Sequence, residues 1–174
     1  MNSPALFEEE QHFRQTWLWM TLLPMSLLLL VVFGLGLYQQ LYLGKPFGNN
    51  PMSNDGLVIA ASVAALFGIG LPFLFYHMKL VVRVDSRYLH ISFLPLRRKR
   101  IPLNDVVRWE ECTYHPLREF GGWGIRYAGK KKGWAYNVSG NQGVQLELAA
   151  GKRLLIGSQR PGELSEALKR AKNI

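Results

Sequence analysis

Gly124 to Lys131 reads GIRYAGKK, one residue short of G-x-x-x-x-G-K-[ST]. In such a loop backbone N–H groups cradle phosphates, the lysine meets the terminal phosphates and the hydroxyl holds magnesium, with a strand before the loop and a helix after it. Here the hydroxyl position is Lys131. Trp123, Ile125 and Tyr127 alternate with Gly124, Arg126 and Ala128, so the segment reads as a strand, with Gly129 to Gly133 as the turn into the next one. No helix is expected after Lys130, and the nucleotide-loop reading is rejected.

Other reactive residue types give no constellation. His115 lies three residues after Cys112, but a thiolate nucleophile needs a base and an orienting group brought to it in space, which strand neighbours do not supply. His12, His77, His90 and His115 are scattered, without zinc-ligand spacing. Ser139 and Ser158 lack the nucleophile-elbow pattern, and Glu110 and Glu111 are adjacent on a strand and face opposite sides. The expectation is a chain that is not an enzyme, with no cofactor and no metal.

Two basic clusters carry more weight: Arg97, Arg98, Lys99 and Arg100, and Lys130, Lys131 and Lys132. The second is expected in a loop and the first in a loop or a short third strand, beside Phe93, Tyr127 and Trp134, a composition suited to anionic headgroups or to a partner protein.

The elements that hold these clusters follow from charge and hydropathy. No charged side chain occurs from Gln15 to Gly44, and none but His77, taken as neutral, from Gly56 to Met78. Each run exceeds the ~20 apolar residues that cross a bilayer. Trp17, Trp19, Tyr38 and Tyr42 mark the ends of the first run, the placement expected at headgroup depth. The acidic start, Glu8 to Glu10, is unlike a signal peptide. The reading is a tail over 1–15, a two-helix hairpin over 16–78 with spans at about 17–43 and 56–78 joined by a short external loop 44–55, and a soluble domain over 79–174.

Only Lys45 is basic in the loop, whereas residues 79 to 174 hold 19 lysines and arginines against 8 acids. The positive-inside rule then places both termini in the cytoplasm. The single cysteine, Cys112, excludes an internal disulfide. Neither span has an ionisable residue at mid-depth, so the hairpin reads as an anchor rather than a transport path. Ala60, Ala64 and Gly68 recur every four residues and form a small-residue packing face, for the first span or for a partner or second copy.

From Lys79 the period becomes alternating. Leu80, Val82 and Val84, then Tyr88 to Leu94, then stretches near 106–114, 123–127, 133–138, 143–148 and 153–156 read as short strands. After Ser158 the stripe Leu164, Ala167, Leu168 and Ala171 reads as an amphipathic helix. Trp109, Trp123 and Trp134 read as core of a small barrel rather than as nucleic-acid platforms.

Two spans followed by KLVVRVDSRYLHISFLPLRRKRIPLNDV, then GGWGIRY through GSQRP into the helix, resemble the bacterial membrane-anchored proteins with a pleckstrin-homology-like (PH-like) domain, over residues 18 to 171. The resemblance implies a membrane α+β chain: a transmembrane hairpin, then a PH-like β-sandwich or barrel of about seven antiparallel strands closed by a C-terminal helix, in the bacterial inner membrane. It carries over no catalytic residues. The expected function is a protein-docking accessory or assembly subunit of a membrane complex or a homo-oligomer, with an inner-leaflet anionic-lipid module as the alternative.

Overall fold

The computed structural model describes residues 4–172. The chain divides into two compact units, one of residues 14–77 and one made from the two flanking segments, up to residue 13 and from residue 78 onward.

The first unit is a helical pair. Helix α1 (Thr16–Leu37) runs into a π-helical turn, Tyr38–Tyr42, and α2 covers Asn54–His77. Both are long and apolar enough to cross a membrane. The loop between them is pinned by amide side chains: Gln40 Nε2 donates to the Met52 carbonyl at 2.8 Å and to Asn54 Oδ1 at 2.9 Å, and Gln39 Nε2 donates to the Pro46 carbonyl at 2.9 Å. Ser53 Oγ accepts the Gly56 N–H at 3.2 Å and so caps α2.

The second unit has nine strands among the described residues: β1 (Phe7–His12), β2 (Lys79–Val84), β3 (Tyr88–Leu94), β4 (Arg97–Pro102), β5 (Val106–Thr113), β6 (Gly124–Tyr127), β7 (Trp134–Asn137), β8 (Gln142–Leu148) and β9 (Lys152–Gly157). Helices α3 (Pro116–Phe120), α4 (Gly129–Lys132) and α5 (Pro161–Ala171) complete it. Four strands form sheet A in the order β1-β2-β3-β4, and five form sheet B in the order β5-β8-β9-β7-β6. Alternation explains why these segments pair: Leu80, Val82 and Val84, and Leu89, Ile91 and Phe93, are buried while the residues between them are not. Asp85 makes the β2–β3 turn by accepting the N–H groups of Arg87 (2.8 Å) and Tyr88 (2.7 Å). Helix α5 buries Leu164, Ala167 and Leu168 and touches strands of both sheets.

Three expectations need correction. The N-terminal segment is not a free tail: residues 7–12 form β1, which pairs antiparallel with β2 from Phe7 opposite Val84 to His12 opposite Lys79. Its first three residues lie outside the described ones, as do the last two of the chain. Of the expected sandwich or barrel of about seven antiparallel strands, the closed barrel is not formed: the architecture is two open sheets, and it is not wholly antiparallel, because β7 runs parallel to β9. The β6–β7 hairpin joins the far side of β9 instead of extending the meander, a choice that rests on non-local pairing. Finally, of the strand or loop expected from Arg97 the chain forms a strand, and Gly129 to Lys132, expected as an open turn, make one helical turn.

Candidate functional site

Because β4 is a strand, its four cations do not form one cluster. Arg97, Lys99 and Ile101 lie opposite Phe93, Ile91 and Leu89, the buried face of β3. Arg98 and Arg100 lie opposite Ser92 and His90 on the other face. Along the inner side exposure grades outward, from buried Ile101 through half-buried Lys99 to exposed Arg97.

Of the inner pair, Arg97 meets sheet B. The Arg97 guanidinium sits 5.3 Å from the Trp134 ring centroid, and Tyr127 lies 5.2 Å from the same ring. Burial, then the positive charges of Arg97 and Lys152, hold the Lys99 ammonium below its ordinary value. Burial pushes the Tyr136 hydroxyl up, and Arg97 opposes that shift. Lys152 was not singled out from sequence.

The outer pair, together with Lys99, lines a different feature. Val81, His90, Ser92, Leu94, Lys99, Arg98 and Arg100 border a shallow open depression of about 430 Å³. Arg100 stacks 4.3 Å from the Tyr88 ring centroid, and His90 Nε2 lies 2.9 Å from Asp85 Oδ2.

The second basic cluster is also divided. Lys132 Nζ donates to Glu119 Oε2 at 2.6 Å, while Lys130 and Lys131 stay exposed. That ammonium, followed by the His115 backbone N–H, holds the Glu119 carboxyl below the usual range. Arg153 Nη1 donates to the Lys131 carbonyl at 3.1 Å, fixing the turn to β9. The helical turn is a single one and contains the lysines, so no row of free helix N–H groups faces a phosphate there.

Cys112 is half-buried against Tyr114, Phe120, Ala135 and Leu155, and burial pushes its thiol up, away from the thiolate form. Glu110 meets Arg108 at 3.5 Å. Among the described residues no group of three or more His, Cys, Asp or Glu side chains is placed to hold a metal ion.

In the helical pair, Ala64 and Gly68 are buried with Leu57 and Ala61, whereas Ala60 is only half-buried. A Cβ on Gly68 would stand 3.0 Å from Leu30 Cγ and 3.4 Å from the Ser26 carbonyl oxygen. The small-residue face is thus used against α1 of the same chain, shifted by one residue from the Ala60 register.

A polar tie that sequence reasoning missed joins β1 to the turn before α5. Glu9, Gln11, Asn137 and Ser158 are all buried. Ser158 Oγ and the Gln159 N–H both donate to the Glu9 carboxylate, and Gln11 Nε2 donates to the Gly157 carbonyl at 2.8 Å. Arg160 Nη2 donates to the Glu8 carbonyl at 2.6 Å, and its guanidinium lies 5.0 Å from the Phe7 ring centroid. This arrangement is structural: it satisfies a buried carboxylate and fastens an edge strand.

No curated protein matches this chain. A family model does, over residues 2–173, and with nearly the whole sequence covered the chain belongs to DUF6141, a family of unknown function.

Proposed function

We propose that this chain is a non-enzymatic, membrane-anchored PH-like module of the bacterial inner membrane that docks another protein, as an accessory or assembly subunit of a membrane complex. Two helices long and apolar enough to cross a bilayer support the anchor. The pairing of β1 with β2 supports an even number of crossings, because segments on either side of the hairpin share one sheet. The excess of lysine and arginine in that unit favours the cytoplasmic side. Two sheets followed by one amphipathic helix are in keeping with a PH-like domain, from which the parallel β7–β9 pair departs.

The observation that carries the docking reading is β4: an edge strand with one strand neighbour, six residues long, bearing Arg98 and Arg100 over an open depression. A free edge accepts an added strand, and cations beside it select an acidic one. The test is purification of the full chain from native membranes in mild detergent. A membrane protein should co-purify with the unaltered chain and be lost from the Arg98→Glu, Arg100→Glu variant. A lone monomer under several growth conditions would overturn the reading.

A further inference from the structure

The outward face of sheet A carries opposite charges at its two edges. Strand register aligns Glu8 with Arg83, His90 and Arg100 in one row across the four strands, and Glu10 with Val81, Ser92 and Arg98 in the next. Each row begins on β1 with an exposed carboxylate and ends on β4 with an exposed guanidinium. Three strand spacings, roughly 14 Å, keep these ends apart within one chain. Glu8, Arg98 and Arg100 make no ion pair among the described residues, and Glu10 meets both His12 (2.8 Å) and Lys79 (2.9 Å) through Oε1 alone. Between the charged ends Val81, His90, Ser92 and Leu94 are half-buried and border the open depression.

We propose that sheet A stacks face to face on sheet A of a second copy of this chain, with Glu8 and Glu10 of each copy meeting Arg100 and Arg98 of the other. A two-fold axis parallel to the strands, above the middle of the sheet, lays β1 over β4 of the other copy and keeps each row at its own height, so both rows match at once. Sheets stack ~10 Å apart, a gap that Glu and Arg side chains span from the two faces. The same axis keeps His12 and Lys79, which lead directly into the hairpin, at the same end in both copies, as two chains anchored in one bilayer require. Edge-to-edge pairing fits less well. Two β4 strands side by side set Arg98 and Arg100 against like charges, and on the β1 edge the Glu8 carbonyl already accepts from Arg160. Arg83 of both copies lies near the axis and opposes the contact, and the stacked area is roughly 400 Å² a side against about 800 Å² in a standard interface. The pair therefore depends on the hairpins, which hold two copies in one plane at high effective concentration. The inference rests on the docking reading for the part played by Arg98 and Arg100 and names a partner for that face, while it leaves the backbone edge of β4 open to another protein.

The experiment uses the full chain in phosphatidylcholine vesicles, with energy transfer between donor-tagged and acceptor-tagged pools followed as lipid dilutes the protein. Glu8→Arg, Glu10→Arg should weaken self-association by about tenfold or more, and Arg98→Glu, Arg100→Glu should do the same. Mixing the two variants should restore energy transfer, because each then offers the charge that the other needs at every contact. High salt should weaken the unaltered pair. As a second measurement, in a Cys112→Ser background, a chain with Glu8→Cys and one with Arg100→Cys should form a disulfide with each other. No energy transfer from the unaltered chain, transfer unmoved by either charge reversal, or an Arg100→Cys chain that cross-links to itself instead would overturn the proposal. Glu8→Arg, Glu10→Arg leaves β4 intact, so a different membrane protein that co-purifies with it undiminished upholds the docking reading even where the unaltered chain shows no self-association. A charge-dependent pair from which no other protein is recovered upholds this inference and overturns the docking of another protein.

Discussion

Glu9 and Ser158 stand 149 residues apart in sequence, yet the Ser158 hydroxyl donates to the Glu9 carboxylate inside the protein. The other carboxylate oxygen accepts the Gln159 N–H at 2.7 Å. The contact ties an acidic N-terminal stretch, which pairs with β2 as a strand, to the turn before α5.

Replacing Glu9 by Ala leaves a buried hydroxyl and a backbone N–H without their acceptor. The expected loss is about 1–3 kcal/mol, read as a lower thermal midpoint of the full chain in detergent. A change under about 0.5 kcal/mol, the ordinary effect of a surface substitution, would mean that β1 is not fastened in this way.

Two glycines in the Gly129–Gly133 turn should behave differently. Both have positive φ, +74° at Gly129 and +75° at Gly133, but a Cβ on Gly129 meets nothing within 4 Å, whereas one on Gly133 would lie 1.9 Å from the Arg153 carbonyl oxygen. Gly129→Ala should cost about 1–2 kcal/mol from backbone strain alone. Gly133→Ala should cost more than about 4 kcal/mol, because backbone must move. Similar unfolding midpoints for the two variants would contradict this arrangement of α4 against β9.

Burial pushes the Tyr114 hydroxyl up from 10.0 to about 12, with Asn137 opposing the shift. Its raised value means that the neutral phenol is favoured in the folded state. The resulting stability is fully present below pH 10 and is lost as pH rises towards about 12. The loss is of order 2 kcal/mol. Tyr114→Phe should therefore flatten the alkaline limb of a stability-against-pH curve relative to the unaltered chain. Parallel curves would sink the assignment.

Packing of the helical pair predicts unequal effects on its small-residue face. Gly68→Leu must push Leu30 aside and should cost about 1–3 kcal/mol by overpacking. Ala60→Leu, at a half-buried position, should stay within about 0.5 kcal/mol. Thermal unfolding in mild detergent separates the two, and equal losses would place Ala60 in the interface after all.

Much of this architecture was legible in local pattern. The alternation of Leu80, Val82 and Val84 and the stripe of Leu164, Ala167 and Leu168 end up buried as their periods require. The charge-free runs become the two long helices. Edge strands were harder: in β1 only the middle one of Glu8, Glu9 and Glu10 is buried, so the acidic run hides its alternation. In β4, four consecutive cations likewise conceal a strand that sends two of them inward.

Hydrophobic period, span length and charge bias are properties of neighbouring residues, and backbone geometry converts them directly into helices and strands. Sequence therefore determined the division into an apolar hairpin and a basic β-rich part, together with most of the strands and the final helix. The order of strands within the sheets, the burial of Glu9 against Ser158, and the approach of Arg97 to Trp134 belong to tertiary structure alone. Each depends on segments far apart in the chain, and pairing between such segments is set by whole-sheet packing and by which buried polar groups find partners.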